Sequence, residues 1–168
     1  MPKGLKETSG LITIGFSATE TVAGTMAEDR IDLQLNVLDR EVFIVYGASL
    51  DLSAPDMIQG TNTSAFASIS TTSRTTVGNL SNPNVLATAG NQVQSDATGA
   101  VAFSYNSADA PATQLEYLGL IATNDFYVQV VGGGNVGTKA VSGRIFGVRA
   151  QASADIFAAL TQSELLSQ

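Results

Sequence analysis

The chain has no cysteine, no histidine and no tryptophan among its 168 residues. Each absence closes a class of chemistry. Without His there is no Ser-His-Asp triad, no imidazole general base near neutral pH and no imidazole metal ligand. Without Cys there is no thiolate nucleophile, no disulfide and no zinc or iron–sulfur site built on sulfur. Positive charge is also scarce and scattered: Lys3, Lys6, Arg30, Arg40, Arg74, Lys139, Arg144 and Arg149 are the only basic residues, against 15 acidic ones, for a net charge of −7. Phosphate neutralisation needs clustered Lys and Arg, so the sequence argues against direct nucleic-acid binding. No stretch reaches the ~18 consecutive apolar residues of a membrane-spanning helix. The start of the chain, with Lys3 and Lys6, lacks the apolar run of a secretory signal.

What the chain does have is small residues: 22 Ala, 17 Thr, 16 Gly and 16 Ser, about two fifths of the whole. The 44% apolar fraction is that of a folded chain, but it is rich in Ala and contains only 7 Phe and 4 Tyr. A core made this way is lean, and subunit association would add buried apolar area. The length predicts one domain.

Residues 1–9 (MPKGLKETS) read as a flexible, polar N-terminal arm, and residues 10–168 as a single β-sandwich domain. Strand signals begin at 11–18 (LITIGFSA). Residues 31–37 (IDLQLNV) alternate, with Ile31, Leu33, Leu35 and Val37 on one face, which predicts a half-buried strand. Residues 41–52 (EVFIVYGASLDL), 65–72, 100–105, 115–122 and 126–131 follow, with Thr123-Asn124-Asp125 as a tight connection between the last two. The longest period-2 pattern starts near Lys139 and runs through Phe146, Val148, Ala150 and Ala152. Beyond it, residues 155–166 are open between strand and helix. Their Ala content and Thr161-x-x-Glu164, a capping-box match, favour a short C-terminal helix. The polar linkers are 18–30, 53–64, 73–98 and 106–114, the third with room for a short strand near Val85. About eight antiparallel strands with long, irregular polar loops predict an all-β antiparallel sandwich of the jelly-roll type.

No catalytic, cofactor-binding or metal-ligating residue is assigned. Gly132 to Gly137 (GGGNVG) matches G-x-G-x-x-G, but residues 138–148 read as a strand where the phosphate-binding fingerprint needs a helix. A glycine hairpin between two antiparallel strands is the better reading. The acidic groups Glu28/Asp29/Asp32, Asp39/Glu41 and Asp51/Asp56 are the only acid–base candidates, and they read as solvated turn and edge residues. No D-x-D-x-D-G calcium loop is present. The sequons at Asn62 and Asn79 are short matches expected by chance. Phe126 and Tyr127 are adjacent, so one points into a sandwich and one out, and the outward one is a candidate interface anchor. Arg144 and Arg149 fall on opposite faces by parity, each a candidate interface partner for a carboxylate. The tract 64–76 (SAFASISTTSRTT) has strand propensity without bulk, which suits either a close subunit contact or a wet sheet face.

Taken together, the polar arm, the Cys-free sandwich, the Ser/Thr/Asn/Gly loops and the last strand VSGRIFGVRA (141–150) leading into DIFAALTQSELL resemble the single jelly-roll coat proteins of icosahedral viruses and phages. The resemblance spans the chain at the level of architecture and implies no catalytic residues and no cofactor. It implies a virion structural protein located in the virion. Its partners would be copies of itself in a shell, with other capsid or internal membrane components as further neighbours. A head decoration or fibre protein of a tailed phage, or a carbohydrate-binding β-sandwich module, are the rival readings. The weakly basic arm departs from coat proteins that grip their genome directly.

Overall fold

The computed structural model describes residues 3–106 and 115–166. Among them the chain forms β1 (Leu5–Glu7), β2 (Ile12–Thr19), β3 (Ala27–Asp32), β4 (Glu41–Leu52), β5 (Thr63–Ser70), β6 (Val85–Ser95), β7 (Ala100–Asn106), β8 (Gly119–Ile121), β9 (Asp125–Gly133), β10 (Ala140–Ala152) and a C-terminal helix α1 (Ala154–Leu166). All pairings are antiparallel and make two facing sheets. The first has the order β2-β10-β4-β8, with β1 continuing β2 along the same edge of β10. The second has the order β3-β9-β5-β6-β7. The fold is the expected antiparallel sandwich with a C-terminal helix. From β2 onward the chain changes sheet at every connection except β5–β6 and β6–β7.

β4 explains why the first sheet is the centre of the molecule. Its β-branched and aromatic residues bury both faces. Phe43 and Val45 point between the sheets, and Val42 and Ile44 point to the outer side, beneath α1. The pairing with β10 slips between Phe146 and Gly147, so that Tyr46 is an extra residue and the parity of β4 reverses. Ala48 and Leu50 therefore join the inter-sheet core although they are even-numbered. A Cβ at Gly147 would run into the Ile44 carbonyl and the Phe43 ring, so the bulge requires glycine there.

Between the sheets Phe16 meets Phe126 edge to face, with ring centroids 5.9 Å apart and planes at 80°. Leu33, Leu35, Ile69, Val128, Val130 and Ile145 complete this core. A second cluster lies on the outer side of the first sheet. There Leu5, Val42, Ile44, Val148, Ala150 and Ala152 are covered by Ile156, Phe157 and Leu160 of α1. The even positions Val148, Ala150 and Ala152 of β10 are thus apolar because a helix covers them.

The differences from expectation have local causes. Residues 5–7, read as part of a polar arm, pair with Ala150–Ala152 and bury Leu5. The strand expected over 31–37 lies instead at Ala27–Asp32, mostly within the linker expected over 18–30: Gln34 is left-handed at φ 52°, and Leu33 and Leu35 bond to Asn124 rather than to a strand. Both leucines are nonetheless buried, so the alternation marked burial and not a ladder. β6 runs for 11 residues where a polar linker with room for only a short strand near Val85 was expected. After Leu86 its core residues are Ala87 and Ala89, too small to stand out as a strand signal. The glycine-rich turn 134–139 joins strands of different sheets, so it is a crossover and not a hairpin. Thr161 and Glu164 do not form a capping box. The Thr161 hydroxyl donates to the Phe157 carbonyl at 2.9 Å, and Glu164 reaches across to β8.

Candidate interaction surfaces

Three connections meet at one end of the sandwich: residues 20–26, 53–62 and 134–139. They are held by a chain of carboxylate contacts. Glu20 is 3% exposed and accepts the Gly132 and Lys139 N–H groups at 2.7 and 2.8 Å. The Lys139 ammonium is buried too and donates to Asp56 Oδ1 at 2.7 Å and the Ala54 carbonyl at 3.0 Å. Asp56 Oδ2 accepts the Val136 and Gly137 N–H groups at 2.9 and 3.0 Å. The Gly137 amide and the Lys139 ammonium together hold the Asp56 carboxyl at about 2, below its ordinary value. Asn135 completes the knot, accepting the Asp56 N–H and donating to the Ser64 carbonyl. These groups stiffen loops that would otherwise be mobile. Above them Val22, Met57 and Val136 stand exposed at 62%, 68% and 84%. Apolar tips on a rigid base suit contact with another macromolecule.

A second surface lies at the other edge of the sandwich. The first sheet stops at β8, which sits over β6, where Leu86 fills the space beside Gly119. β7 therefore overhangs, leaving its inward Ala100, Ala102 and Ser104 exposed, and on its outer face Val101, Phe103 and Tyr105 are all more than half exposed. The Tyr105 ring lies across Gly90 and beside Phe66, where a Cβ on Gly90 would find Phe66 Cδ1 at 2.9 Å. Together they make an aromatic strip in a chain with few aromatics.

The residues predicted as interface candidates separate. Phe126 is fully buried against Phe16 and cannot anchor a partner. Tyr127 is the outward neighbour, half-buried on the outer face of the second sheet and paired in register with Arg30. Burial raises its phenol above the ordinary value. Arg30 itself pairs with Asp125 at 2.5 Å. Arg144 and Arg149 do lie on opposite faces of β10. Arg144 is exposed. Arg149 turns inward and is occupied, donating to the Leu33 and Gln34 carbonyls at 2.8 and 3.1 Å and pairing with Glu41 at 3.2 Å. It braces the segment 33–41 instead of waiting for a partner.

The carboxylate groups serve local structure. Glu28 accepts from the Ser73 hydroxyl at 2.6 Å and from the Arg74 N–H and the Gln129 amide at 2.8 Å, and so straps residues 71–84 across the outer face of the second sheet. Asp32 and Asp39 accept bonds within their own turn. Among the described residues no group of three or more His, Cys, Asp or Glu could hold a metal ion. Glu164 went unremarked in sequence as anything but a cap. It is buried between α1 and β8, accepts the Ala122 N–H at 3.1 Å, and leaves Oε2 without a hydrogen-bond partner among the described residues. Burial pushes its carboxyl above the ordinary range. No spacing in the sequence could have revealed the loop-end knot, because Glu20 and Lys139 lie 119 positions apart. Compared with known proteins, the chain matches no family model, and no curated protein matches its sequence.

Proposed function

We propose that this chain is a virion structural protein, a self-assembling coat subunit with a jelly-roll sandwich. The strand order carries the reading. The sheet β2-β10-β4-β8 faces β3-β9-β5-β6, and the chain passes back and forth between them, which supports reading the sandwich as two interlocked Greek keys. β7 is then an addition to the second sheet, and β1 an extension of β2. The rigid loop end with exposed Val22, Met57 and Val136 supplies a surface suited to contacts between subunits. The scattered basic residues favour a shell whose inner surface does not grip naked nucleic acid.

Native mass spectrometry and electron microscopy of the purified chain test the proposal. Closed shells, pentamers or hexamers that assemble without nucleic acid and tolerate salt are the expected result. Discrete trimers would point instead to a head decoration protein. A stable monomer that binds glycans through Phe66, Phe103 and Tyr105 would overturn the reading in favour of a carbohydrate-binding module.

A further inference from the structure

The edges of the two sheets are protected in different ways, and one carries no such protection among the described residues. β3, at one edge of the second sheet, carries Glu28, Asp29, Arg30 and Asp32, the charges that keep edge strands apart. β8, at an edge of the first sheet, is three residues long, and the Ala122 N–H just beyond it is taken by Glu164. β2, at the other edge, runs beside β3 where the two sheets approach. β7 has seven residues, AVAFSYN, without a charge, a proline or a bulge. It pairs with β6 on one side, and among the described residues no strand lies on the other. Its side chains are exposed on both faces of the overhang.

The backbone of β7 is also in phase for pairing. The Asp96 N–H donates to the Gly99 carbonyl and closes the β6–β7 turn. Ladder bonds alternate from there, so Val101, Phe103 and Tyr105 turn their peptide groups to β6. Ala100, Ala102 and Ser104 turn theirs to the open edge. A chain of net charge −7 repels its own copies, and contact is least opposed where neither copy is charged. β7 is such a place.

We infer that two copies of this chain pair edge to edge through β7, antiparallel about a two-fold axis, and so join their second sheets into one. The symmetric register that overlaps all of β7 places Phe103 opposite Phe103, Val101 opposite Tyr105 and Ala102 opposite Ser104. In that register the outward peptide groups of Ala102 and Ser104 bond across the axis. The Phe103 pair occupies the non-hydrogen-bonded position, where the Cα atoms of the two strands come closest. The same patch meets itself, so the contact closes at two copies. It does not depend on a shell, since a shell lacking this contact would still assemble yet fail the cross-link below.

The full-length chain, having no cysteine, gives a direct test. Phe103→Cys supplies a single thiol facing its own copy, and mild oxidation should give a disulfide-linked dimer. The rate should exceed that of Ser142→Cys, an exposed position on the other sheet, by on the order of tenfold or more. Ala102→Pro removes an N–H aimed at the open edge and none bonded to β6. In sedimentation under conditions where no larger assembly forms, it should convert dimer to monomer, with unchanged far-UV circular dichroism. Phe103→Lys, which sets two like charges face to face, should do the same. A wild-type chain that stays monomeric at high micromolar concentration would overturn the inference, as would equal cross-linking rates for the two cysteine variants. So would a monomer whose Ala102 and Ser104 amides resist hydrogen exchange, because the chain would then be covering its own edge.

Discussion

β9 and β7 belong to the same sheet, alternate equally well in sequence, and live in opposite surroundings. β9 has Phe126, Val128 and Val130 sealed against the first sheet, and even its outward Gln129 is fully buried beneath the strap of residues 71–84. β7 turns Ala100, Ala102 and Ser104 to the side on which the first sheet lies, and all three are exposed, with no strand of the described residues opposite them; Val101, Phe103 and Tyr105 stand exposed on its outer face. Alternation fixes which residues share a face of a strand. What covers that face depends on how many strands the facing sheet has. Four positions against five leave one strand bare, and the bare strand is where the molecule has surface to spend on a neighbour.

The largest way to break this contrast is at its buried pole. Phe126→Ala should cost about 3–5 kcal/mol of stability, because a ring packed on Phe16 is replaced by a cavity. Urea denaturation of the dilute protein measures it, and a loss below ~1 kcal/mol would mean that the core collapses around the gap. Next comes the loop-end knot. Glu20→Ala strands two buried N–H groups, those of Gly132 and Lys139, and should cost about 2–4 kcal/mol. Hydrogen exchange should then open first at residues 132–139.

Asp56 makes the same knot sensitive to acid. Its folded-state value, about 2, lies below the ordinary 3.8 of an aspartate. The stabilisation is therefore fully present above the ordinary value and is lost as the pH falls from about 3.8 towards 2. A titration of the Asp56 carboxyl carbon by NMR should show the low midpoint, and Asp56→Asn should flatten this part of the stability profile. The smallest effect belongs to the exposed pole. Phe103→Ala, measured where the chain is monomeric, should change stability by no more than about 0.5 kcal/mol. A loss as large as that of Phe126→Ala would show that β7 is covered after all.

Much of the framework could be read along the chain. Residues 41–52 form β4 with the expected bounds, because their β-branched and aromatic residues are unambiguous. β10 and the helix also stand where the period-2 pattern and the Ala-rich composition placed them. Residues 31–37 misled because Leu33 and Leu35 alternate in burial while Gln34 turns left-handed and takes the backbone out of the ladder. The length of β6 was hidden by the small size of Ala87 and Ala89. On the surface, parity correctly sent Phe126 and Tyr127 to opposite faces and likewise Arg144 and Arg149. It could not tell which of the two aromatics faced inward, nor that the Arg149 guanidinium was already held by the Leu33 and Gln34 carbonyls.

By itself, the sequence determined that this chain is a β-sandwich lacking the side chains of imidazole and thiol chemistry, because composition and two-residue periodicity are local properties. The tertiary structure decided the rest. It chose which strands face one another, buried Glu20, Lys139 and Glu164 in contacts between distant segments, and left β7 overhanging. Those outcomes depend on sheet order and on the number of strands in each layer, which no local window of residues contains.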